Sequence, residues 1–330
     1  HSQLMKKSMI KDSIFFDESF HPTNIIGRSE KIKEITSYLK PFAEGRITKN
    51  LYIYGPTGTG KTTIIKSVLK QFDQKSVYVN CWTNRTSHKI MQEILKQIGY
   101  MIHGRESTTD LVNKFECSSK KNIIICLDEV DQLKNFDIFY VFARNPCCLV
   151  LISNHTINSS RFDSRIESRM HFHEIKFEPY EYDHILSILQ DRTSSGLHTN
   201  VLKDLLLEDI SSLCNGDARA GIQILKNAVV EAESNGLNIV TSQEIETASR
   251  NVRRFRLSYV LNKLNDHQRI LYNILKANKT LDSGKLFEEY RKQAEEIVTD
   301  RSYRNYMQKM VEFELVKESS SGRWKKYEII

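Results

Sequence analysis

The run Gly55, Pro56, Thr57, Gly58, Thr59, Gly60, Lys61, Thr62 carries the most specific chemistry in this chain of 330 residues. Its spacing is that of a phosphate-binding loop. Glycines at 55, 58 and 60 let successive backbone N–H groups curl around an anion, and a helix that begins where the loop ends points its positive N-terminus at the same charge. Lys61 is then suited to the β and γ phosphates of ATP or ADP, and the Thr62 hydroxyl to Mg²⁺. A second run, Asn122 to Asp131, is apolar until it ends in acids. In phosphoryl transfer Asp128 would orient Mg²⁺ through its water shell and Glu129 would polarise the attacking water. Acids after a strand also open solvated helices, and it is the pairing with the loop that favours catalysis. The apolar run Cys148 to Ser153 ends at Asn154, a donor for the γ-phosphate or the lytic water; taken alone, an Asn there is a turn residue.

These groups can meet only on a scaffold that gathers them. From Asn50 to Phe177 short apolar runs alternate with helical periods: Leu51 to Tyr54, Ser76 to Cys81, Ile123 to Leu127, Leu149 to Ser153 and Glu174 to Phe177. Strands separated by helices predict an α/β architecture, a parallel sheet covered on both faces, with ligands at the carboxyl edge of its strands. After Pro179 the periods become wholly helical through Ser242 to Val252, which predicts a small helical domain. From Asp266 three more helical periods precede Leu315 to Ile330, which reads as strand, turn (Ser319, Ser320, Ser321, Gly322) and strand. Three helices and a hairpin outline a winged helix. The division expected is a basic tail over 1–13, a nucleotide-binding domain over 14–178, a helical domain over 179–252 and a winged helix over 253–330.

Composition narrows the classes. The apolar fraction of 40% is ordinary, and no stretch approaches the roughly 20 uninterrupted apolar residues of a membrane span. The first residues are polar and basic, unlike a secretory signal, so the sequence predicts a cytoplasmic protein. The six cysteines show no CxxC pair and no ligand-like histidine spacing; they read as reduced core residues. The net charge of +7 is uneven: residues 251–330 hold 17 Lys and Arg against 11 Asp and Glu, nearly the whole excess.

That basic quarter has a patterned face. Over 300–313, helical spacing puts Tyr303, Tyr306, Met307, Met310 and Val311 on one side and Arg301, Arg304, Asn305 and Gln308 on the other. Arg reads guanine, and Asn or Gln adenine, from the major groove, so the polar stripe has the composition of a recognition helix for double-stranded DNA. In the hairpin Arg323, Lys325 and Lys326 suit phosphate or minor-groove contact by a wing. A solvated surface used for protein contacts is the alternative.

Taken together, Gly55 to Thr62 with Leu127 to Asp131, the run Tyr78 to His88, Gly216-Asp-Ala-Arg219 and the winged-helix outline resemble the archaeal origin-recognition initiators among the AAA+ ATPases. The resemblance covers almost the whole chain. It implies that Asn154 is a γ-phosphate sensor, that Arg219 reaches the γ-phosphate from a helical lid, and that Ile25, Ile26 and Arg28 belong to a segment closing over adenine. It places an arginine finger at Arg169 in preference to Arg165, with a surface salt bridge as the alternative, and puts DNA-contacting residues, Arg85 among them, between Asn84 and Gly104. The implied function is a chromosome-associated, ATP-dependent replication initiator with slow, regulatory hydrolysis, whose partners are origin DNA, the replicative helicase and other initiator subunits. A nucleotide-gated signalling or regulatory ATPase, whose winged helix binds protein or non-origin DNA, is the competing reading.

Overall fold

Short runs of apolar side chains, buried at successive positions along the central strands, build a sheet covered on both sides. The computed structural model describes residues 8–46, 49–118, 122–156, 170–321 and 324–330, and the chain divides into two compact units, 1–248 and 249–330. In the first, β1 (Asn50–Tyr54), β2 (Ser76–Asn80), β3 (Ile123–Asp128), β4 (Cys147–Ser153) and β5 (Phe172–Lys176) pair in the order β2-β3-β4-β1-β5, all parallel. On β3 every residue is buried. Ile124 and Cys126 pack on one face with Leu51, Ile53, Ile64 and Val68, and Ile125 and Leu127 on the other with Tyr52, Ile90, Ile94 and Phe139. Such a sheet needs helices on both faces, here α1 (Ser29–Ala43), α2 (Lys61–Leu69), α3 (Ser87–Gln97), α4 (Thr108–Glu116) and α5 (Ile138–Phe142).

The strand order sets where ligands can bind. The chain leaves β1 to build β2 beyond two intervening positions, then returns through β3 and β4 and crosses β1 to reach β5. Connections diverge between β1 and β4, which opens a crevice at their carboxyl ends. Gly55, Asp128 and Asn154 follow or close the three central strands β1, β3 and β4.

The rest of this unit is helical: α6 (Tyr182–Gly196), α7 (Asp204–Leu213), α8 (Ala218–Ser234) and the first turns of α9 (Ser242–Asn262). Ile185, Leu189, Ile210, Leu225 and Val229 are fully buried. Residues 8–13, within the expected basic tail, are tied to the helical region: Ile10 pairs antiparallel with Leu197, Lys11 N–H donates to Gly196 O, and Met9 is buried. The boundary expected at 252/253 falls inside α9, as does the division of the two compact units at 248/249.

The second unit contains α10 (Asp266–Asn278), β6 (Thr280–Asp282), α11 (Ser283–Gln293), α12 (Asp300–Glu312), β7 (Val316–Ser321) and β8 (Trp324–Ile329). Its antiparallel sheet has the order β6-β8-β7, the helix–strand–helix–helix–hairpin sequence of a winged helix. Leu271, Leu275, Leu286, Tyr290, Met307 and Met310 form its core. Ser319 to Ser321, expected in the turn, belong to β7, paired with Lys326, Lys325 and Trp324. The three-residue β6 had no periodic signal to announce it. Among the cysteines, Cys81, Cys126, Cys148 and Cys214 are buried and free, whereas Cys117, expected in the core, is exposed after α4.

Candidate functional site

The loop between β1 and α2 is held open by backbone conformations only glycine adopts easily. Gly58 and Gly60 have φ of 71° and 88°. A Cβ on Gly58 would lie 1.8 Å from Asp217 Oδ1, and one on Gly60 2.5 Å from the Tyr180 hydroxyl. The loop is thus packed from outside by residues beyond the sheet. Inside it, Lys61 is buried and its ammonium donates to Gly55 O (2.7 Å), Pro56 O (2.7 Å) and Asn154 Oδ1 (3.2 Å). Burial lowers its pKa to about 8, with the Asp128 carboxylate opposing that fall.

Asp128 is 2% exposed at the end of β3. One of its oxygens, Oδ2, accepts from Thr62 Oγ1 at 2.6 Å and from the Tyr78 hydroxyl at 2.7 Å, while Oδ1 accepts from Glu129 N–H at 2.9 Å. Burial and then Asp128 raise the Tyr78 pKa, so the phenol remains a donor. Glu129 follows in the left-handed region, φ 57° and ψ 46°, which for a glutamate is a strained conformation at the mouth of the sheet. Ser153 donates to Asp131 at 3.2 Å, and Asn154 follows directly.

The helical region closes over these groups. Asp217 caps α8 by accepting from Ala220 N–H at 2.9 Å, and Ala218 N–H donates to Gly58 O at 3.1 Å, so α8 begins on the loop itself. Arg219, one residue on, lines the same cavity as Lys61, Thr62, Asp128, Glu129 and Asn154. That cavity has a volume of about 520 Å³, within the range of small-molecule sites. Ile25 and Ile26 line it; Arg28 does not. Arg28 instead donates to Thr59 O (3.2 Å) and Glu178 O (2.6 Å) and lies 4.0 Å over the Tyr180 ring, tying the segment before α1 to the loop.

The fit to a magnesium nucleotide rests on the donor set. Glycine amides and a buried ammonium suit phosphates, and Thr62 and Asp128 offer hard oxygens to Mg²⁺. Among the described residues no three His, Cys, Asp or Glu converge as a self-sufficient metal site. Sequence reasoning missed Tyr78, Asp217, Phe16, Phe20 and Arg192. Tyr78 and Asp217 lay inside quoted motifs, whereas only folding brings Phe16, Phe20 and Arg192 to the cavity.

The remaining candidates lie elsewhere. Arg301, Arg304, Asn305 and Gln308 are exposed on α12, opposite buried Tyr303, Met307 and Met310. Lys325 and Lys326 are exposed on β8, Lys325 paired with Glu318 at 2.7 Å. Arg85 is half-buried before α3, donating to Trp82 O at 3.0 Å with its guanidinium 4.6 Å over the Trp82 ring. Arg165, Arg169 and Arg323 lie outside the described residues.

Comparison with known proteins agrees with this geometry. Residues 47–157 match the AAA domain family and residues 186–250 the Cdc6 AAA+ ATPase-type lid domain. The chain is similar to ORC1-type DNA replication protein 9 of Halobacterium salinarum, at 27% identity over 98% of this chain and 94% of the relative. With ORC1-type DNA replication protein 1 of the same organism the identity is 29%, over 90% of this chain and all of the relative (100%). In fold it is similar to the Aeropyrum pernix ORC1 protein, solved in complex with DNA, with a TM-score of 0.71 at 23% identity over 98% and 94% of the two chains. The chain is therefore an ATPase and belongs to the archaeal origin-recognition and Cdc6 family of AAA+ proteins.

Proposed function

We propose that this ATPase is a replication initiator that binds double-stranded origin DNA in its ATP state, supports loading of the replicative helicase together with other initiator subunits, and changes state on slow hydrolysis. The observation that carries the reading is one cavity lined both by Lys61, Thr62, Asp128 and Glu129 and by Arg219 at the start of α8. Lys61 and the loop amides bind phosphates, Glu129 positions and polarises the attacking water, and Asn154 and Arg219 meet the γ-phosphate. Mg²⁺, near Thr62 and Asp128, supplies charge neutralisation of the phosphates. Because α8 starts on Gly58, loss of the γ-phosphate changes what Arg219 can hold and so the seat of the helical lid. In function, residues 14–178 hold the nucleotide, 179–252 act as the lid and 253–330 carry the DNA-binding surface.

The exposed Arg301, Arg304, Asn305 and Gln308 support a recognition helix in the major groove, with Lys325 and Lys326 on phosphates and Arg85 as a further contact. Fluorescence anisotropy with duplex DNA tests this part. Arg301→Ala with Arg304→Ala is expected to weaken binding at least tenfold and to make log K less steep in log salt concentration; unchanged affinity rejects the helix as the DNA contact. For the switch, Lys61→Ala abolishes ATP binding and Glu129→Gln binds ATP without turning it over. Parental turnover by Glu129→Gln removes Glu129 from catalysis.

A further inference from the structure

The cavity has two chemically different walls. One is the phosphate-binding loop with its acids; the other sets Phe20, Pro22, Ile25 and Ile26 of the segment before α1 and Ile188 of α6 beside the polar Asp17, Glu18, Asn24 and Asp191. Arg192 stands in this second wall, one helical turn beyond Ile188. It is 6% exposed, and its guanidinium lies 4.2 Å over the Phe20 ring. Its Nε and Nη1 are both buried, and neither meets a hydrogen-bond acceptor among the described residues.

A guanidinium cannot shed its charge, and buried donors are ordinarily satisfied, so two idle N–H groups in a cavity wall call for acceptors from a ligand. Burial lowers the Arg192 pKa, with the neighbouring Asp191 opposing. The phosphates already have Lys61 and the loop amides. A wall with Phe20, Ile25, Ile26 and Ile188 and a buried guanidinium, two of whose donors meet no acceptor among the described residues, complements the other half of a nucleotide, whose ring nitrogens and ribose oxygens are acceptors. We propose that Arg192 binds the nucleoside part of ATP, donating from Nε and Nη1 to the base or the ribose while stacked on Phe20. The proposal rests on the reading of this cavity as the ATP site.

Arg192→Met keeps length and packing and removes the donors. Isothermal titration of the full chain with ATP and with inorganic tripolyphosphate separates the two walls. The expected result is an affinity for ATP reduced at least tenfold, with tripolyphosphate binding unchanged and ligand-free melting temperature no lower than the parent's. With 2′-deoxy-ATP, a penalty that disappears assigns the ribose 2′-hydroxyl as acceptor, and one that persists assigns the base or another ribose oxygen. An equal loss for ATP and tripolyphosphate, or no loss for either, overturns the proposal. Should the parent itself bind ATP no better than Lys61→Ala, the site reading fails and the proposal with it; parental ATP binding left intact by Arg192→Met refutes Arg192 alone.

Discussion

At the scale of single residues, Asp128 is steered by two hydroxyls that share one of its oxygens. If Thr62 turns to Mg²⁺ when a nucleotide binds, the Tyr78 hydroxyl remains to hold the carboxylate. Tyr78→Phe keeps the ring and removes one hydrogen bond to a charged acceptor. It is expected to lower kcat for ATP roughly tenfold with little change in KM, measured by steady-state phosphate release; an unchanged kcat discards the positioning role. The catalytic acids and Lys61 were legible in the sequence because their chemistry is carried by a contiguous motif. Tyr78 was visible in the run before Asn80, yet a tyrosine on a strand carries no sign of which carboxylate it will meet. Arg28 shows the reverse, a residue assigned to the adenine side that folding spends on the carbonyls of Thr59 and Glu178.

At the scale of elements, the seat of α8 on the loop decides how hydrolysis reaches the lid. Gly58→Ala places a methyl group against the Asp217 carboxylate at a positive φ. The strain is expected to cost about 1–3 kcal/mol and to weaken ATP binding severalfold, read by melting temperature and titration; a melting temperature equal to the parent's contradicts the close seat. The lead-in to α4 gives a prediction in pH. Glu106 accepts from His103 N–H at 2.9 Å and from Lys114 at 3.1 Å, and the backbone bond above all lowers its pKa to about 2. A depressed carboxylate stabilises the fold above its ordinary range and loses that effect as pH falls toward the folded value. The melting temperature of the parent should exceed that of Glu106→Gln near pH 6, with the gap narrowing between pH 4.5 and about 2. A gap constant with pH contradicts the assignment.

At the scale of the whole molecule, two compact units meet along the chain near residue 248, and the nucleotide cavity draws every lining residue from the first. A ligand that binds only the native state stabilises it, by about 2.7 kcal/mol at a hundredfold excess over Kd. Calorimetry is expected to show ATP raising the transition of 1–248 while that of 249–330 stays where it is. A single transition that shifts as a whole would mean that the units unfold as one. Among the described residues no helix is long and apolar enough to cross a membrane.

Sequence alone determined the features that local chemistry and periodicity dictate. The glycine spacing of 55 to 60, the buried strand running into Asp128, and the two-sided helix over Asp300–Glu312 each state their conformation within a few residues. The tertiary structure decided the features that depend on segments far apart in the chain: Asp217 against Gly58, Arg192 over Phe20, and residues 8–13 pinned to the end of α6. Long-range contacts are set by strand order and close packing, which a window of sequence does not contain. The phosphate-binding loop was readable from its own residues, while the wall facing it was assembled only when the chain folded.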